Sequence, residues 1–391
     1  MSTLEQVAKI CFLAGLLVGL ATHWSQLLWP LLVAQFLLAA GLVSACVHRY
    51  RANCSPPLSC WLILPLLPAL LGTLQYFLGW SLDPWQTRRV ALEWVGCGVA
   101  SFLGYLLLAE SHKREKFLRG FALFALSLSL YATLQNYAAP GRIWWVIESG
   151  FRDQVFGPFT YHTKFAIFVE LALATTLWFA SRPGCFRPLW LAAAAVLVSA
   201  LAASQSRGGV LLAGFEVILL LWLILSRERS MLARFGLSVS FLAVLLLCGW
   251  ILGSDALLER FASQGWARDG RQVILSTSLE MTQEAPWMGG GLGAWPAMYP
   301  AYARFDANLR INQAHCDWLQ WRIEGGWPML FVMVLMAMIT ARCAIREFWC
   351  FGLMSVFMHA AIDYPFQQTP GLSLLFFAFW GISLHTLRKS Y

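Results

Sequence analysis

Apolar runs of about 17 residues or more recur along the whole chain, and each is long enough to cross a hydrocarbon core of roughly 30 Å. Because every run is continuously apolar rather than alternating over about ten residues, the spans read as helices, not barrel strands. Only 12% of the 391 residues are charged against 59% hydrophobic, about half the charge of an ordinary soluble domain. A water-soluble globule of this size would lack the polar surface to cover itself. The composition excludes a soluble enzyme, a secreted disulfide scaffold and a disordered chain. It predicts an all-α, polytopic membrane protein.

Twelve transmembrane helices are expected, near 7–24, 27–47, 58–80, 89–109, 117–137, 162–180, 188–204, 209–226, 232–252, 316–343, 348–361 and 370–387. The first lacks a strongly basic start and an A-x-A-like exit, so it reads as an anchor rather than a signal peptide. Placing the N-terminus, the even-numbered loops and the C-terminus on one side gives that side 16 of the 28 Lys and Arg, among them Arg49, Arg51, Lys113, Arg114, Lys116, Arg119, Arg227, Arg229, Arg388 and Lys389. With five carboxylates there and twelve opposite, the first side is +11 and the second neutral. By the positive-inside rule both termini are expected in the cytoplasm. The net charge of +8 is thus a topology signal, and nucleic acid is not an expected partner. The ten cysteines show no metal-like spacing, and no disulfide framework is expected.

One loop, 253–314, is much longer than the rest, and long loops are usually functional or disordered. The segment 253–322 carries Arg260, Arg268, Arg271, Arg304, Arg310 and Arg322. Apolar and aromatic residues recur at helical spacing in it: Leu257, Leu258 and Phe261, then Val273, Ile274 and Met281, then Tyr299, Tyr302 and Phe305. This predicts short amphipathic helices on the membrane surface; a packed lid with solvated charges is the alternative. Arg207 sits in a short turn, Ser204-Gln205-Ser206-Arg207-Gly208-Gly209, where an arginine near hydrocarbon is costly unless it faces a watery cavity or an anion, or snorkels. Where the chain re-enters the membrane, His315 is the side chain best suited to take a proton near neutral pH, although interfacial histidines are often structural. A helix over 314–324 would put His315, Leu319 and Arg322 on one face and turn Asp317 elsewhere. The run Pro286-Trp287-Met288-Gly289-Gly290-Gly291-Leu292-Gly293 lacks a Walker lysine or a Rossmann strand and reads as a tight turn. Most of the twenty tryptophans fit interfacial belts.

In this order, these pieces resemble the O-antigen ligase and polymerase superfamily of bacterial envelope glycosyltransferases, over about 190–387. The resemblance rests on Ser206-Arg207-Gly208-Gly209, on Arg271 opening a helix that runs to Pro286-Trp287-Met288-Gly289, and on Gly291-Leu292-Gly293. It continues with His315 and Trp318-Leu319-Gln320, Glu324-Gly325-Gly326, and His359-Ala360-Ala361-Ile362-Asp363-Tyr364-Pro365. Gly157-Pro158-Phe159 with His162 is a looser echo. Relatives commonly carry Asn after the histidine, where this chain has Cys316. The chain divides on this reading into N-terminal transmembrane helices, 1–189, and a ligase-related membrane region, 190–387.

The resemblance implies a GT-C-like enzyme in the bacterial inner membrane, acting on its periplasmic face among membrane lipids. Its donor would be a glycan on a polyprenyl, specifically undecaprenyl, diphosphate, and its acceptor a hydroxyl such as that of lipid A core. Arg207 and Arg271 match the family's diphosphate arginines, and arginine's planar fork suits phosphate oxygens. His315 matches the family's histidine and takes the role of general base in a single inverting displacement. Arg310, Arg322 and Asp363 are secondary candidates for orienting groups. No metal or other cofactor is expected, because no outward DxD pair appears and the arginines can fill a cation's role. Polymerase and protein O-oligosaccharyltransferase activities remain alternatives. A transporter or lipid flippase is the non-enzyme alternative, but no repeat relates the halves. Glu170 and Glu216, inside spans, would serve such a protein as a proton relay or simply pair with a polar group on a neighbouring helix.

Overall fold

The computed structural model describes residues 2–25, 27–53, 58–150, 154–227, 231, 236, 239, 270–304, 311–367 and 370–388. The helices in chain order are α1 (Thr3–Ala21), α2 (Trp29–Arg51), a 3-10 stretch (Cys60–Leu66) running into α3 (Leu67–Phe77), α4 (Pro84–Leu107), α5 (Ser111–Ala138), α6 (His162–Ala180), α7 (Arg187–Ala203) and α8 (Arg207–Arg227). They continue with α9 (Arg271–Glu284), α10 (Trp295–Met298), α11 (Asp317–Arg346), α12 (Phe351–His359) and α13 (Pro370–Ser383). Among the described residues a two-stranded hairpin, Arg142–Ile143 with Ile147–Glu148, and an isolated bridge between Phe156 and Phe159 accompany the helices. Among the described residues, eight helices are long and apolar enough to cross a membrane, and Arg187–Ala203 and Phe348–His359 are apolar but shorter. Eleven of the twelve expected spans coincide with described helices; the ninth, 232–252, lies outside the described residues except for 236 and 239. The helices form two compact units: Met1–Lys113, Trp266–Cys343 and Ala360–Tyr391 make the first, and Arg114–Gly265 and Ala344–His359 the second.

In the first unit α1 packs on α2, and α4 packs on both α3 and α13. Spans in lipid associate through close packing and interhelical hydrogen bonds rather than through loss of water. Here Trp94 meets Phe377 edge to face at 5.2 Å, Tyr105 stacks on His385 at 4.1 Å, and the Trp380 indole N–H donates to Thr340 at 3.1 Å.

The most constrained feature of this unit is a break in α11. Gly326 sits at φ +66°, ψ −160°, and Pro328 follows two residues later. Proline lacks the N–H that would bond the Glu324 carbonyl. The Trp327 N–H, which would have served Ile323, donates instead to the Trp287 carbonyl at 2.9 Å. Two carbonyls are orphaned inside a span, where each costs several kcal/mol if unmet (~1–3 by mutational measures). The glycine-rich turn supplies the partners. Gly290 N–H donates to Ile323 O at 3.0 Å and Gly291 N–H to Glu324 O at 2.9 Å. The Gln75 amide of α3 adds bonds to Glu324 O at 2.8 Å and Met288 O at 2.7 Å. The buried Glu324 carboxylate then accepts from the N–H groups of Gly293 (2.9 Å) and Trp295 (3.2 Å) and from the Gln320 amide (2.8 Å). A Cβ at Gly326 would lie 1.9 Å from the Trp287 carbonyl, so only glycine fits.

The described part of the long loop has a core of its own. Ile274 and Met281 of α9 pack with Trp295, Tyr299, Ala314 and Ile323. α9 buries Ile274, Thr277, Ser278 and Met281 at helical spacing, while Val273, expected on that face, is 37% exposed. Leu257, Leu258, Phe261 and Phe305 lie outside the described residues. At its surface Arg304 pairs with Glu280, and Tyr302 donates to Glu284 at 2.7 Å, which raises the tyrosine's pKa.

The second unit is organised around α6, which contacts α7, α8 and α12 and is buried along nearly all its length. Its Glu170 pairs with His359 of α12 at 2.7 Å, and Ser355 of α12 donates to Glu216 of α8. Glu170 and Glu216 are thus each paired with a polar side chain on a neighbouring helix.

Replacing Glu324 with alanine strands the Gly293 and Trp295 amides, at about 1–3 kcal/mol each. Thermal unfolding of the detergent-solubilised protein is expected to show a clearly lowered midpoint for Glu324→Ala and a larger drop for Gly326→Ala. An unchanged midpoint in both would contradict the account of the break.

Candidate functional site

The helix that carries the Trp318-Leu319-Gln320 motif begins at Asp317, not at 314. His315 lies just before it at φ +56°, a left-handed conformation that an L-residue adopts only where its surroundings hold it. The expected shared helical face of His315, Leu319 and Arg322 therefore does not form. Two anchors fix the histidine instead. On one side, the Ala314 N–H donates to the Gln320 side chain at 3.1 Å, and Gln320 is itself bonded to Glu324. On the other, the Asp317 N–H donates to Ala360 O at 2.8 Å, and its carboxylate accepts the Phe366 N–H at 3.0 Å. These bonds draw 360–366 against the start of α11.

Asp363 arrives with that segment. Its Oδ1 lies 3.7 Å from His315 Nδ1 and also accepts the Tyr364 N–H at 2.9 Å. The carboxylate is 3% exposed and the imidazole 16%. The separation is too long for a hydrogen bond. Tyr364 meets the imidazole edge to face at 5.1 Å. The structure thus brings together His315 and Asp363, two residues 48 positions apart in sequence. Burial raises the pKa of the neighbouring Cys316 thiol, which keeps it protonated and a poor nucleophile near neutral pH.

Arg322 is turned to another task. Its guanidinium donates to Ala285 O at 3.1 Å and Pro286 O at 3.2 Å and lies over the Trp327 ring at 4.7 Å. It caps the carbonyl end of α9, where a cation also meets the negative pole of the helix. Arg271 is the first residue of the same helix and is half-buried. Arg322 therefore fastens the C-terminal end of the helix that opens with Arg271.

Arg207 opens α8 in the second unit and is half-buried. Ser206 accepts the Gly209 N–H at 3.4 Å at the helix start, and a Cβ on Gly209 would lie 2.5 Å from that of Ala166. The glycine lets α8 press against α6. Arg310 lies outside the described residues.

Sequence reasoning had no route to Gln75, whose partners are more than 200 residues away. It noted Glu324-Gly325-Gly326 as a motif without its task, which the Pro328 two residues later was enough to suggest. The glycine-rich run is a tight turn, as expected: its amides are spent on Ile323 and Glu324 rather than offered to a phosphate. Among the described residues no three His, Cys, Asp or Glu side chains converge as a metal site would require, and none of the eight described cysteines is in a disulfide.

Removing the Arg322 cap with Arg322→Ala is expected to loosen the last turn of α9 by roughly 1.5–3 kcal/mol. Hydrogen exchange at the amides of 281–285 should accelerate about 10- to 100-fold; unchanged exchange would mean that the cap is idle.

Residues 192–357, a little under half of the chain, match the family described as O-antigen ligase. The resemblance read from the motifs is thereby shown over that range. The matched range includes Arg207, Arg271, Arg310, His315 and Arg322, and Asp363 lies just beyond it. No curated protein matches the chain.

Proposed function

From the family match over 192–357, we propose that this multi-pass membrane protein is a glycosyltransferase of the O-antigen ligase type. It moves a glycan from a polyprenyl diphosphate, of the undecaprenyl class, to an acceptor hydroxyl such as one on lipid A core. The site opens on the periplasmic side of the inner membrane, with both termini in the cytoplasm, as the distribution of Lys and Arg supports.

The observation that carries the reading is His315, a half-buried imidazole held in a left-handed turn with its Nδ1 facing the Asp363 carboxylate. A carboxylate there favours the tautomer with the proton on Nδ1 and leaves Nε2 as the basic atom. Nε2 takes the proton from the acceptor hydroxyl as that oxygen attacks the anomeric carbon. The bond to the diphosphate breaks in the same displacement, and the configuration inverts. Asp363 steadies the imidazolium that results. Arg207 and Arg271 bind the diphosphate and stabilise the charge that grows on it as it leaves. In this chemistry the two guanidinium groups take the part a divalent cation plays elsewhere.

The test is transfer from a purified lipid-linked donor. His315→Ala is expected to lower kcat by about 10²–10⁴-fold, the span of general base catalysis; near-normal transfer would remove His315 from the role. Arg207→Ala and Arg271→Ala should impair donor use while leaving the amount of folded protein unchanged. Loss of folded protein in step with activity would make the arginines structural. A chelator is expected to leave transfer intact. Mass spectrometry of the acceptor end of the product separates ligase from polymerase.

A further inference from the structure

The two-stranded hairpin that follows α5 in the second unit turns on a pair of tryptophans. Arg142 pairs with Glu148 and Ile143 with Ile147 across it, and the Val146 N–H closes the turn on Ile143 O at 3.2 Å. Inside that turn lie Trp144, at φ +52°, and Trp145, at φ +66°. Positive φ at both central positions is the mark of a type I′ turn, whose usual occupants are Asn-Gly, Asp-Gly and Gly-Gly. A bulky L-residue is strained there, and strain of this kind gathers where a site needs a side chain held.

Closing the turn does not require these rings, because Asn-Gly would close it without strain. An interfacial belt does not require them in this form either, since it asks for indoles at a given depth and not for a left-handed backbone. What the turn achieves is placement. Both indoles lie against Tyr131 of α5, with ring centroids at 5.4 and 6.5 Å and tilts of 39° and 48°. Ile143 is buried, while Trp145 keeps 37% of its surface exposed. Arg142 and Glu148, paired at 3.4 Å, stand exposed at the open end of the hairpin. Fixed aromatic faces beside charged hydrogen-bonding groups suit a ligand with an apolar face and a polar rim. A pyranose is such a ligand, with C–H groups on its face and hydroxyls around its edge.

The hairpin also stands at a telling place in the unit. Gln135, buried near the end of α5, donates to Arg142 O in the hairpin and to Gly157 O, at 3.1 Å, in the turn that follows. Phe156 and Phe159 of that turn pack on Phe165 of α6, at centroid distances of 4.6 and 5.8 Å. One residue further along α6, Ala166 meets Gly209 of α8. The hairpin thus lies at the end of the unit where α6 and α8 begin, and Arg207 is the first residue of α8.

We propose that Trp144 and Trp145 form a platform on which a pyranose ring of the donor glycan stacks. The assignment rests on the reading of Arg207 as a ligand of the donor diphosphate, because a sugar chain leaving that diphosphate starts at this end of the unit. The platform lets the protein hold a glycosylated lipid in preference to the bare carrier left after transfer, so that spent carrier is exchanged for fresh donor.

The test compares two lipids on the detergent-solubilised full chain: the lipid-linked oligosaccharide extracted from the cells that carry the protein, and undecaprenyl diphosphate without sugar. The double variant Trp144→Asn with Trp145→Gly removes both rings and gives the turn its preferred residues, so its thermal midpoint should equal or exceed that of wild type. It should bind the glycosylated lipid about tenfold more weakly, the upper worth of one well-stacked ring, and the bare lipid as wild type does. A second readout uses wild-type protein carrying 5-fluorotryptophan, with fluorine signals assigned through Trp144→Phe and Trp145→Phe. The glycosylated lipid should shift the signals of 144 and 145, and the bare lipid should leave them in place. Equal weakening of both lipids, or fluorine signals that do not move, overturns the platform. Wild-type protein that prefers the glycosylated lipid, with a double variant that keeps that preference, defeats the platform alone. Wild-type protein that binds neither lipid defeats the functional reading, and the platform falls with it.

Discussion

The first unit depends on a broken helix that is repaired from outside. Gly326 and Pro328 interrupt α11 and leave the Ile323 and Glu324 carbonyls without their helical partners. In a span there is no water to take their place. The amides of Gly290 and Gly291 and the side chain of Gln75 meet those carbonyls. The fold can tolerate the break only while the glycine-rich turn is docked on it. The turn in turn can lie so close only because Gly289 and Gly326 have no side chains to collide.

The consequences reach the histidine through a short chain of bonds. The Glu324 carboxylate holds the start of α10 and the Gln320 amide, and Gln320 holds Ala314. His315 follows directly, fixed on its other side where Asp317 grips the segment 360–366. Asp363 faces the imidazole because that segment is held there. A left-handed histidine is an unfavourable local choice, and it persists because both neighbours are tied. Precision at such a residue comes from its supports, and here these are a kinked span, a buried carboxylate and a loop returning from the far end of the sequence.

Much of this was legible in the sequence. Continuous apolar runs gave the helices, because in lipid only closed backbone hydrogen bonding is viable. The glycine run was read as a tight turn, and its amides bond Ile323 and Glu324. The expected span at 316–343 begins within a residue of α11, but a helix reaching back to 314 does not form, because helical periodicity says nothing about a single left-handed residue, and His315 gave no glycine or asparagine as a warning. Asp363 was read from a motif but not joined to His315, since its proximity depends on backbone bonds between Asp317, Ala360 and Phe366 that no local pattern encodes. Gln75 is the extreme case: a polar residue in an apolar helix whose partners lie on elements remote in sequence. Arg322 was a secondary candidate for an orienting group, and its bonds to the carbonyls of Ala285 and Pro286 could not be read from the sequence.

The central claim is that an imidazole at position 315 acts as the base, and chemical rescue tests it most directly. Glycine adopts the left-handed conformation at that position without strain, so His315→Gly removes the ring while respecting the turn. Added imidazole is then expected to restore glycan transfer by the variant in a concentration-dependent manner, with no effect on the wild-type enzyme. A folded, donor-binding variant that stays inactive at every imidazole concentration, or one that transfers normally without any, would contradict the account.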